Sequence, residues 1–360
     1  PVAQLDRVLP SEGKGHTFES CRVRQFLYKP RDNVPVTPHR RSATNVVGKA
    51  AGYLMMQHWR SAAIGLLAMS ACGEARTEAP APAPAPVVDA PATPALWKIS
   101  DEDTTVYFFG TVHVLPPELD WHSPPVDKAL DMAKAVYFET DTEGDPIAFR
   151  EMIERLGRYE PSDRLSDHLT PPQRASLQTG AEKLNLPFVV IDTMRPWYAG
   201  VVISEAVVSK AGYDASSGVE NVLRPEARRD GKEIRFLESV EDQMSSFATL
   251  PEAIQVKFLI EGLDDIDNAK KGLGELAAAW KAGNVDDLSR VLIDDDMARI
   301  PELYNALLVH RNANWVPQID KLMKTETGTF LVAVGTAHLV GKDSVIEMLK
   351  PVGYTAERIQ

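Results

Sequence analysis

The pattern of apolar and polar positions divides residues 96–360 into short apolar runs and longer amphipathic segments. LWKIS (96–100) and TTVYFFG (104–110) are β-prone runs separated by three acidic residues, which predicts a β-hairpin. Further apolar runs have the length and composition of buried strands. These are VYFET (136–140), IRFLES (234–239) and TFLVAVG (329–335).

Segments with a period of about 3.6 residues lie between these runs and predict helices. They are SPPVDKALDMAKA (123–135), PIAFREMIERL (146–156), TPPQRASLQTGAEKL (170–184), PWYAGVVISEAVVSK (196–210), the stretch 241–280, and PELYNALLVHRNANWVPQIDKLM (301–323). We expect breaks in the stretch 241–280 near Gly262 and Gly272. LPFVVID (186–192) fits either a short strand or the approach to the next helix.

Strands at the beginning, middle and end of this region, with helices between them, predict an α/β fold. We expect a central mixed sheet flanked by helices, with a helical insertion in the middle of the chain. Because no Pro/Gly-rich linker interrupts residues 96–360, we predict that they form one domain.

The composition narrows the class of protein. Hydrophobic residues make up 44% and charged residues 25% of the chain, as in soluble globular proteins. Acidic residues outnumber basic ones by 51 to 39, and the net charge of −12 argues against a nucleic-acid partner. The two cysteines, Cys21 and Cys72, precede the predicted domain, which excludes a disulfide framework or a thiolate zinc site within it.

The segment 55–72 is typical of an export signal. His58 and Arg60 precede an apolar core at 62–71, too short to span a membrane as a helix, and small residues stand before Cys72. The segment resembles a bacterial lipoprotein signal peptide, in which Cys72 is lipidated. An ordinary signal peptide cleaved after Ala71 is the alternative. Either interpretation predicts export to the bacterial cell envelope, and we expect a periplasmic protein anchored to a membrane through Cys72.

The flanks of this segment have different compositions. Residues 1–54 are polar and without sustained periodicity, and we expect them to be a non-native upstream extension or disordered. Residues 73–95 are rich in alternating alanine and proline, which favours extended polyproline II conformation at about 3 Å per residue. They are therefore predicted to be a linker that spaces the domain from the membrane.

A four-residue turn occurs twice in the chain. GTVH (110–113) follows the second predicted strand, and GTAH (335–338) follows the last long one. In open α/β sheets ligands bind beyond the carboxyl ends of strands, so His113 and His338 can converge on one point. Glu139, near the end of VYFET, adds a carboxylate. Two histidines and a carboxylate are a usual ligand set for zinc, manganese or iron, whereas a single such histidine is more often an ordinary loop residue.

Several motifs resemble those of the TraB/GumN family, which is related to the Tiki metalloproteases and more remotely to the erythromycin esterase and ChaN-like folds. The resemblance covers most of 96–360. It rests on the two GTxH turns, the glutamate of YFET, GYDASSGVENVL (212–223), GKEIRFLESVEDQ (231–243), HRNANW (310–315) and VAVGTAHLVGKDSVIEMLKPVGY (332–354).

This resemblance implies a metal-dependent, peptidase-like hydrolase with His113, Glu139 and His338 at its centre and Arg311 as a site arginine. Three more residues fall in family motifs without an assigned role: Glu220, Glu238 and Gln243. The family often has Gly-Leu-Asp where this chain has Gly218-Val219-Glu220, which leaves the role of Glu220 open.

A mechanism can be written for this set. His113 and His338 would bind a divalent cation (manganese, cobalt or zinc), with Glu139 as third ligand or general base. Such a cation lowers the pKa of bound water from near 16 to about 7. Arg311 would stabilise the oxyanion or hold a substrate carboxylate, and Glu238 would orient a ligand histidine or cap a helix.

The expected substrate is a peptide or a small ester or amide. Two other interpretations remain open from the sequence. In one, Glu139 and a histidine act without metal, as in an esterase. In the other, the protein is a tethered binding protein for a metal, haem or a peptide and has no catalytic activity.

Overall fold

The computed structural model describes residues 91–295 and 297–360. The predicted upstream extension (1–54), the signal peptide (55–72) with its lipidation site Cys72, and most of the linker (73–95) lie outside the described residues. No described helix has the length and apolar character needed to cross a membrane.

The described residues form a mixed six-stranded sheet in the order β4-β3-β5-β2-β1-β6. The strands are β1 (Leu96–Ser100), β2 (Thr104–Thr111), β3 (Ala135–Phe138), β4 (Glu233–Phe236), β5 (Gly328–Gly335) and β6 (Glu357–Arg358). The predicted hairpin is β1–β2, which is antiparallel, as is β1–β6. The pairs β2–β5, β3–β5 and β3–β4 are parallel, so four strands present their carboxyl ends at the same edge of the sheet.

Helices connect the strands and cover the sheet, which confirms the predicted α/β architecture with a helical insertion between β3 and β5. They are α1 (Pro124–Met132), α2 (Pro146–Leu156), α3 (Pro171–Lys183), α4 (Phe188–Ile191), α5 (Pro196–Lys210), α6 (Val219–Arg229), α7 (Val240–Ala248), α8 (Glu252–Asp264), α9 (Ala269–Lys281), α10 (Val285–Ser289), α11 (Pro301–Tyr304), α12 (His310–Thr325) and α13 (Val345–Leu349).

The centre of the sheet is buried on both faces. Phe108 and Phe109 are adjacent in β2 and point to opposite faces, yet both are fully buried, and so is Phe330 in β5. Their near-continuous apolar runs are the pattern expected for parallel strands that are covered by helices on both sides. Each buried phenylalanine contributes about 1.5–3 kcal/mol through removal of its ring from water. The sheet is thus a rigid base for the residues at its carboxyl edge.

Two local features differ from the sequence interpretation, and one alternative that it left open is decided. Of the two possibilities for 186–192 the strand is wrong, because Phe188–Ile191 form a short helix. Gly262 and Gly272 lie inside α8 and α9, and the chain instead breaks at 249–251 and 265–268. Pro251 is the N-cap of α8, and its lack of a backbone N–H favours a helix beginning there over continuation of α7. β3 ends at Phe138, so Glu139 stands one residue beyond its strand.

A π-helical turn, Asn305–Val309, joins α11 to α12. A π-turn contains one residue more than an α-turn and therefore rotates the residues that follow it around the helix axis. The buried side of α12 begins directly after it, with Arg311 and Asn312. The π-turn thus decides which residues of α12 face the carboxyl edge of the sheet.

Candidate active site

The repeated turns lie side by side. β2 and β5 are parallel neighbours, and their last pairs are Gly110 with Val334 and Thr111 with Gly335. The hydroxyl of Thr336 donates to the carbonyl of Thr111 over 2.9 Å and ties one turn to the other. The repetition therefore has a structural meaning: adjacent strands end in matching turns at one edge of the sheet.

Gly335 leaves room for two functional side chains. A Cβ atom at this position would lie 3.0 Å from Oε1 of Glu139 and 3.2 Å from Nε2 of His113. Both distances are shorter than ordinary carbon contacts, so a larger residue would push the two groups away. The missing side chain allows the carboxylate and the imidazole to approach the same point.

Glu139 is buried, with 8% of its surface exposed, and is held by several donors. Its Oε1 accepts a hydrogen bond from the backbone N–H of Gly335 at 2.7 Å, and its Oε2 accepts from Nη2 of Arg311 at 2.6 Å and from Nε2 of Gln243 at 3.3 Å. Burial alone would raise the pKa of Glu139, but the charge of Arg311 and the neighbouring histidines and the Gly335 N–H lower it below its ordinary value. The carboxylate is therefore ionised at neutral pH.

The tautomer of His338 is fixed by Asn312. The side-chain N–H of Asn312 donates to the carbonyl of Asp343 at 2.8 Å, so its oxygen is the atom that lies 2.6 Å from Nδ1 of His338. Nδ1 therefore carries the proton, and Nε2 presents a lone pair, 3.1 Å from Nη1 of Arg311. Burial, followed by the charge of Arg311, lowers the pKa of His338 to about 3 despite nearby Glu139. This ring is neutral.

His113 is oriented by Glu220. Its Nδ1 lies 2.7 Å from Oε1 of Glu220, which also accepts a hydrogen bond from the hydroxyl of Thr111. An ionised carboxylate only accepts, so Nδ1 carries the proton and Nε2 faces Gly335. Burial lowers the pKa of His113, but the charge and hydrogen bond of Glu220 outweigh it, and the pKa is raised. Glu220, whose role the sequence left open, is thus the residue that sets the direction of this imidazole.

Helix α6 can place Glu220 there because Gly218 precedes it. A Cβ at Gly218 would lie 2.1 Å from the carbonyl oxygen of His113, which no other residue allows. The N–H of Val219 donates to the carbonyl of Val112 at 3.0 Å and joins the start of α6 to the first turn. The close approach of backbone to backbone explains the glycine in this motif.

Arg311 is the charged centre of the cluster, with 5% of its surface exposed. Its Nε and Nη2 donate to Oε1 of Glu238 at 2.8 and 2.5 Å, and Nη2 also donates to Glu139. Nη1 donates to the carbonyl of Leu307 at 3.1 Å, which belongs to the π-turn. Burial lowers the pKa of Arg311, but the two carboxylates outweigh it, so the guanidinium stays charged.

Glu238 is held by Arg311 on one oxygen and by the indole N–H of Trp315 on the other, at 3.2 Å. Burial raises the pKa of Glu238 even though Arg311 opposes that shift. Among the described residues, Glu238 contacts Arg311 and Trp315 but neither of the two histidines. It positions Arg311, which differs from both predicted roles, since it contacts neither histidine and the N-cap of α7 is Ser239.

The structure thus brings His113, Glu139, Glu238, Arg311 and His338 into one buried cluster. Sequence reasoning missed Asn312 and Trp315, which fix His338 and Glu238. Both lie in the motif HRNANW (310–315), so the sequence indicated a role in the site through their position beside Arg311. Their side-chain types alone indicated no chemistry.

The fit of a divalent cation can be tested on the donors. Within 91–295 and 297–360 no three His, Cys, Asp or Glu side chains are already arranged as a metal site. The guanidinium of Arg311 occupies the lone pair of His338 and one oxygen of Glu139. The chemistry of the donors nevertheless fits a cation, because each histidine contacts an oxygen through Nδ1 and turns Nε2 toward the site, as metal-binding histidines do.

The chain is similar to known proteins over the folded region described above. The model of the TraB/PrgY/gumN family matches residues 95–358. The uncharacterized protein YbaP of Escherichia coli K12 is 21% identical over 244 residues, which cover 68% of this chain and 87% of that protein. Metalloprotease TIKI1 of Xenopus tropicalis is 24% identical over 308 residues, covering 72% of this chain and 60% of that protein. Human metalloprotease TIKI1 is 24% identical over 311 residues, which cover 73% of this chain and 61% of that protein.

The matched region thus spans less than two thirds of the length of these metalloproteases. No solved structure gives a significant match to the chain. The family model, in contrast, covers well over half of the chain and includes both repeated turns, α6, α12 and every residue of the cluster described above. The chain belongs to the TraB/PrgY/gumN family.

Proposed function

We propose that this protein is a hydrolase of peptide bonds or of small esters and amides, with His113, Glu139, Arg311 and His338 at its reaction centre. The observation that carries the proposal is the convergence of Nε2 of His113 and Oε1 of Glu139 on Gly335. Both groups are buried; hydrogen bonds hold Glu139, and a close contact with Glu220 holds His113. Similarity to two proteins named metalloproteases supports a hydrolytic reaction.

The proposal includes a divalent cation. Nε2 of His113, Nε2 of His338 and the carboxylate of Glu139 are the atoms that would hold it. When bound, the cation supplies Lewis acidity and makes hydroxide available near neutral pH. The candidates are manganese, cobalt and zinc, all of which accept this combination of imidazole and carboxylate ligands.

The chain's own residues have separate tasks in this proposal. Asn312 and Glu220 hold Nδ1 of the two imidazoles, which turns Nε2 of each ring toward the site, where Nη1 of Arg311 contacts that of His338. Arg311 remains charged in a buried position, where it stabilises negative charge on the carbonyl oxygen of the substrate. Glu238 holds the guanidinium in place through two hydrogen bonds.

A metal-free reaction is the second candidate, and the contacts of Arg311 favour it. Its guanidinium already supplies a positive charge to His338 and Glu139. Glu139 and a histidine would then do the acid–base work on the attacking water. The same residues serve both candidates, and only the need for a cation separates them.

Purified protein incubated with a peptide library and with small esters tests both candidates. Chelator treatment followed by manganese, cobalt or zinc should abolish and then restore turnover if a cation is required. Turnover that survives chelation supports the metal-free route. Metal binding without any turnover would contradict both and support a binding protein.

The His113→Ala variant should lose turnover, with His122→Ala as the matched control. His122 is a partly exposed histidine paired with Asp127 and lies outside the cluster. Unchanged melting of His113→Ala would assign the loss of activity to the reaction centre and not to unfolding.

We further propose that the domain acts in the cell envelope, attached to a membrane through Cys72. Support comes from the order of basic residue, apolar core and small residues before this cysteine at 60–72. Labelling of the full chain with palmitate, followed by membrane fractionation, tests the proposal. Cys72→Ala should abolish labelling and release the protein from the membrane.

A further inference from the structure

A cleft opens beside Arg311, with a volume of about 470 Å³. One wall is formed by α7 and the residue after it, through Ser245, Ser246 and Thr249. The other wall is formed by α12, through His310, Asn314 and Gln318. Glu238 and Arg311 line the cleft as well; Arg311 is buried and Glu238 is partly buried. The cleft therefore connects the buried cluster with solvent.

The lining of the cleft is polar. Leu237 and Ala306 are its two hydrocarbon side chains, and the remaining residues carry hydroxyl, amide, imidazole or charged groups. Most specific pockets for small molecules are predominantly apolar, so this composition is unusual. Hydroxyl and amide groups can bind the N–H and C=O groups of an extended peptide, whereas the cleft offers little surface to a large apolar side chain.

The charge of the lining is negative. Arg311 forms ion pairs with both Glu238 and Glu139, so two negative charges already face its one positive charge. Asp242 adds a further carboxylate, which is exposed and has no ion-pair partner among the described residues. The neighbouring Glu241, in contrast, is paired with Arg155 at 2.8 Å. Asp242 is therefore the free negative charge of the cleft.

Asp242 is also fixed in place. Its Oδ2 accepts hydrogen bonds from the N–H and the hydroxyl of Ser239, at 3.2 and 2.6 Å, as part of the capping box of α7. Because Oδ2 makes both of these contacts, Oδ1 is left to bind a ligand. A carboxylate held by a helix cap presents its charge in a defined direction, which reduces the entropy lost on binding.

We propose that this cleft binds the part of a polypeptide substrate that carries a lysine or arginine side chain, with the cationic group at Asp242 and the backbone leading toward Arg311. The inference rests on the proposed hydrolase function and names its substrate class. The hydroxyls of Ser246 and Thr249 and the amide nitrogen of Gln318 donate within the protein, so the hydroxyl and amide oxygens of the walls accept hydrogen bonds from the peptide backbone. Asp242 selects the charge of the side chain.

The experiment uses the full chain and fluorescent peptides that are identical except for one central lysine, glutamine or glutamate. Binding is measured by fluorescence anisotropy at low and high salt, and turnover in the same samples by mass spectrometry. The lysine peptide should bind most tightly, and salt should weaken its binding more than that of the glutamine peptide. Asp242→Asn, which keeps an acceptor for Ser239, should raise the Kd of the lysine peptide roughly two- to five-fold, the range of an exposed ion pair.

Asp131→Asn is the matched control. Asp131 is an exposed residue near the end of α1, just before β3 begins, and so lies at the opposite edge of the sheet from Glu139. It changes the net charge equally and should leave the Kd unchanged. Equal binding of all three peptides, a preference that survives Asp242→Asn, or no binding at all would overturn the inference. A lysine preference that depends on Asp242 but comes without turnover supports this inference and contradicts the proposed hydrolase.

Discussion

At the scale of single residues, the site depends on small groups that hold larger ones. Asn312 and Glu220 each fix the proton of one histidine, and Gly335 allows His113 and Glu139 to approach each other. The sequence identified both histidines because the turn is repeated. It did not identify Asn312, because an amide gains its meaning only from the atoms it contacts in the fold.

Gly335→Ala should lower activity without unfolding the protein. The new Cβ would lie 3.0 Å from Oε1 of Glu139 and 3.2 Å from Nε2 of His113, so both groups must move by a few tenths of an ångström. The φ of −49° suits alanine, so the backbone is not strained. We expect kcat/KM to fall roughly 10- to 100-fold, as catalysis is sensitive to small displacements. Gly262→Ala, where only Ser204 lies within reach at 3.8 Å, should retain full activity.

Arg311→Lys should be far from conservative. The guanidinium donates from Nε, Nη1 and Nη2 to Glu238, Glu139 and the carbonyl of Leu307, and a single ammonium cannot reproduce this planar arrangement. Arg311→Met removes the charge altogether and should destabilise the protein by about 3–5 kcal/mol, because two buried carboxylates lose their partner. Chemical denaturation measures both variants, and the lysine variant should lie between wild type and methionine. Equal stability of all three would contradict the assigned network.

At the scale of elements, adjacent parallel strands and one π-turn bring the site together. The sequence predicted where β2 and β5 end but not that they are neighbours, because more than two hundred residues separate them and pairing over such distances leaves no local pattern. The π-turn at Asn305–Val309 has the same composition as an ordinary helix. The position of Arg311 therefore came from the family motif and not from periodicity.

A second element-scale feature is a histidine that joins the loop before α3 to α8. His168 lies 2.9 Å from Asp163 through Nε2 and 2.6 Å from Glu252 through Nδ1. Burial lowers its pKa, but both carboxylates outweigh this effect, and the pKa is raised above the ordinary value of 6.5. Stability from this contact is therefore complete below that value and is lost as the pH rises through the pKa of the folded state.

His168→Gln should consequently destabilise the protein more at about pH 5.5 than at about pH 8.5, by about 0.2–1 kcal/mol for a partly exposed pair. Urea denaturation at the two pH values measures the difference. In a protein that already carries Asp163→Asn and Glu252→Gln, the substitution should have the same effect at both pH values. A pH-dependent effect that persists there would assign it to other groups.

At the scale of the whole molecule, both ends of the described region meet in one sheet. β1 pairs with β2 and β6, and the C-terminal Gln360 donates to the carbonyl of Pro94 at 2.8 Å. Alternating strands and helices predicted the α/β class and the hairpin, since these follow from local periodicity. Strand order did not follow, because it depends on which buried surfaces meet after collapse.

The stability of the whole protein provides a test of cation binding that needs no substrate. A ligand that binds only the folded state stabilises it, by about 2.7 kcal/mol at 100 times its Kd. If His113, His338 and Glu139 hold a divalent cation, manganese, cobalt or zinc should raise the melting temperature of the wild-type protein. His113→Ala should remove most of this shift, and His122→Ala should retain it. Because Arg311 already occupies two of the proposed donors, absence of any shift, together with turnover after chelation, would make the guanidinium the working cation of the site.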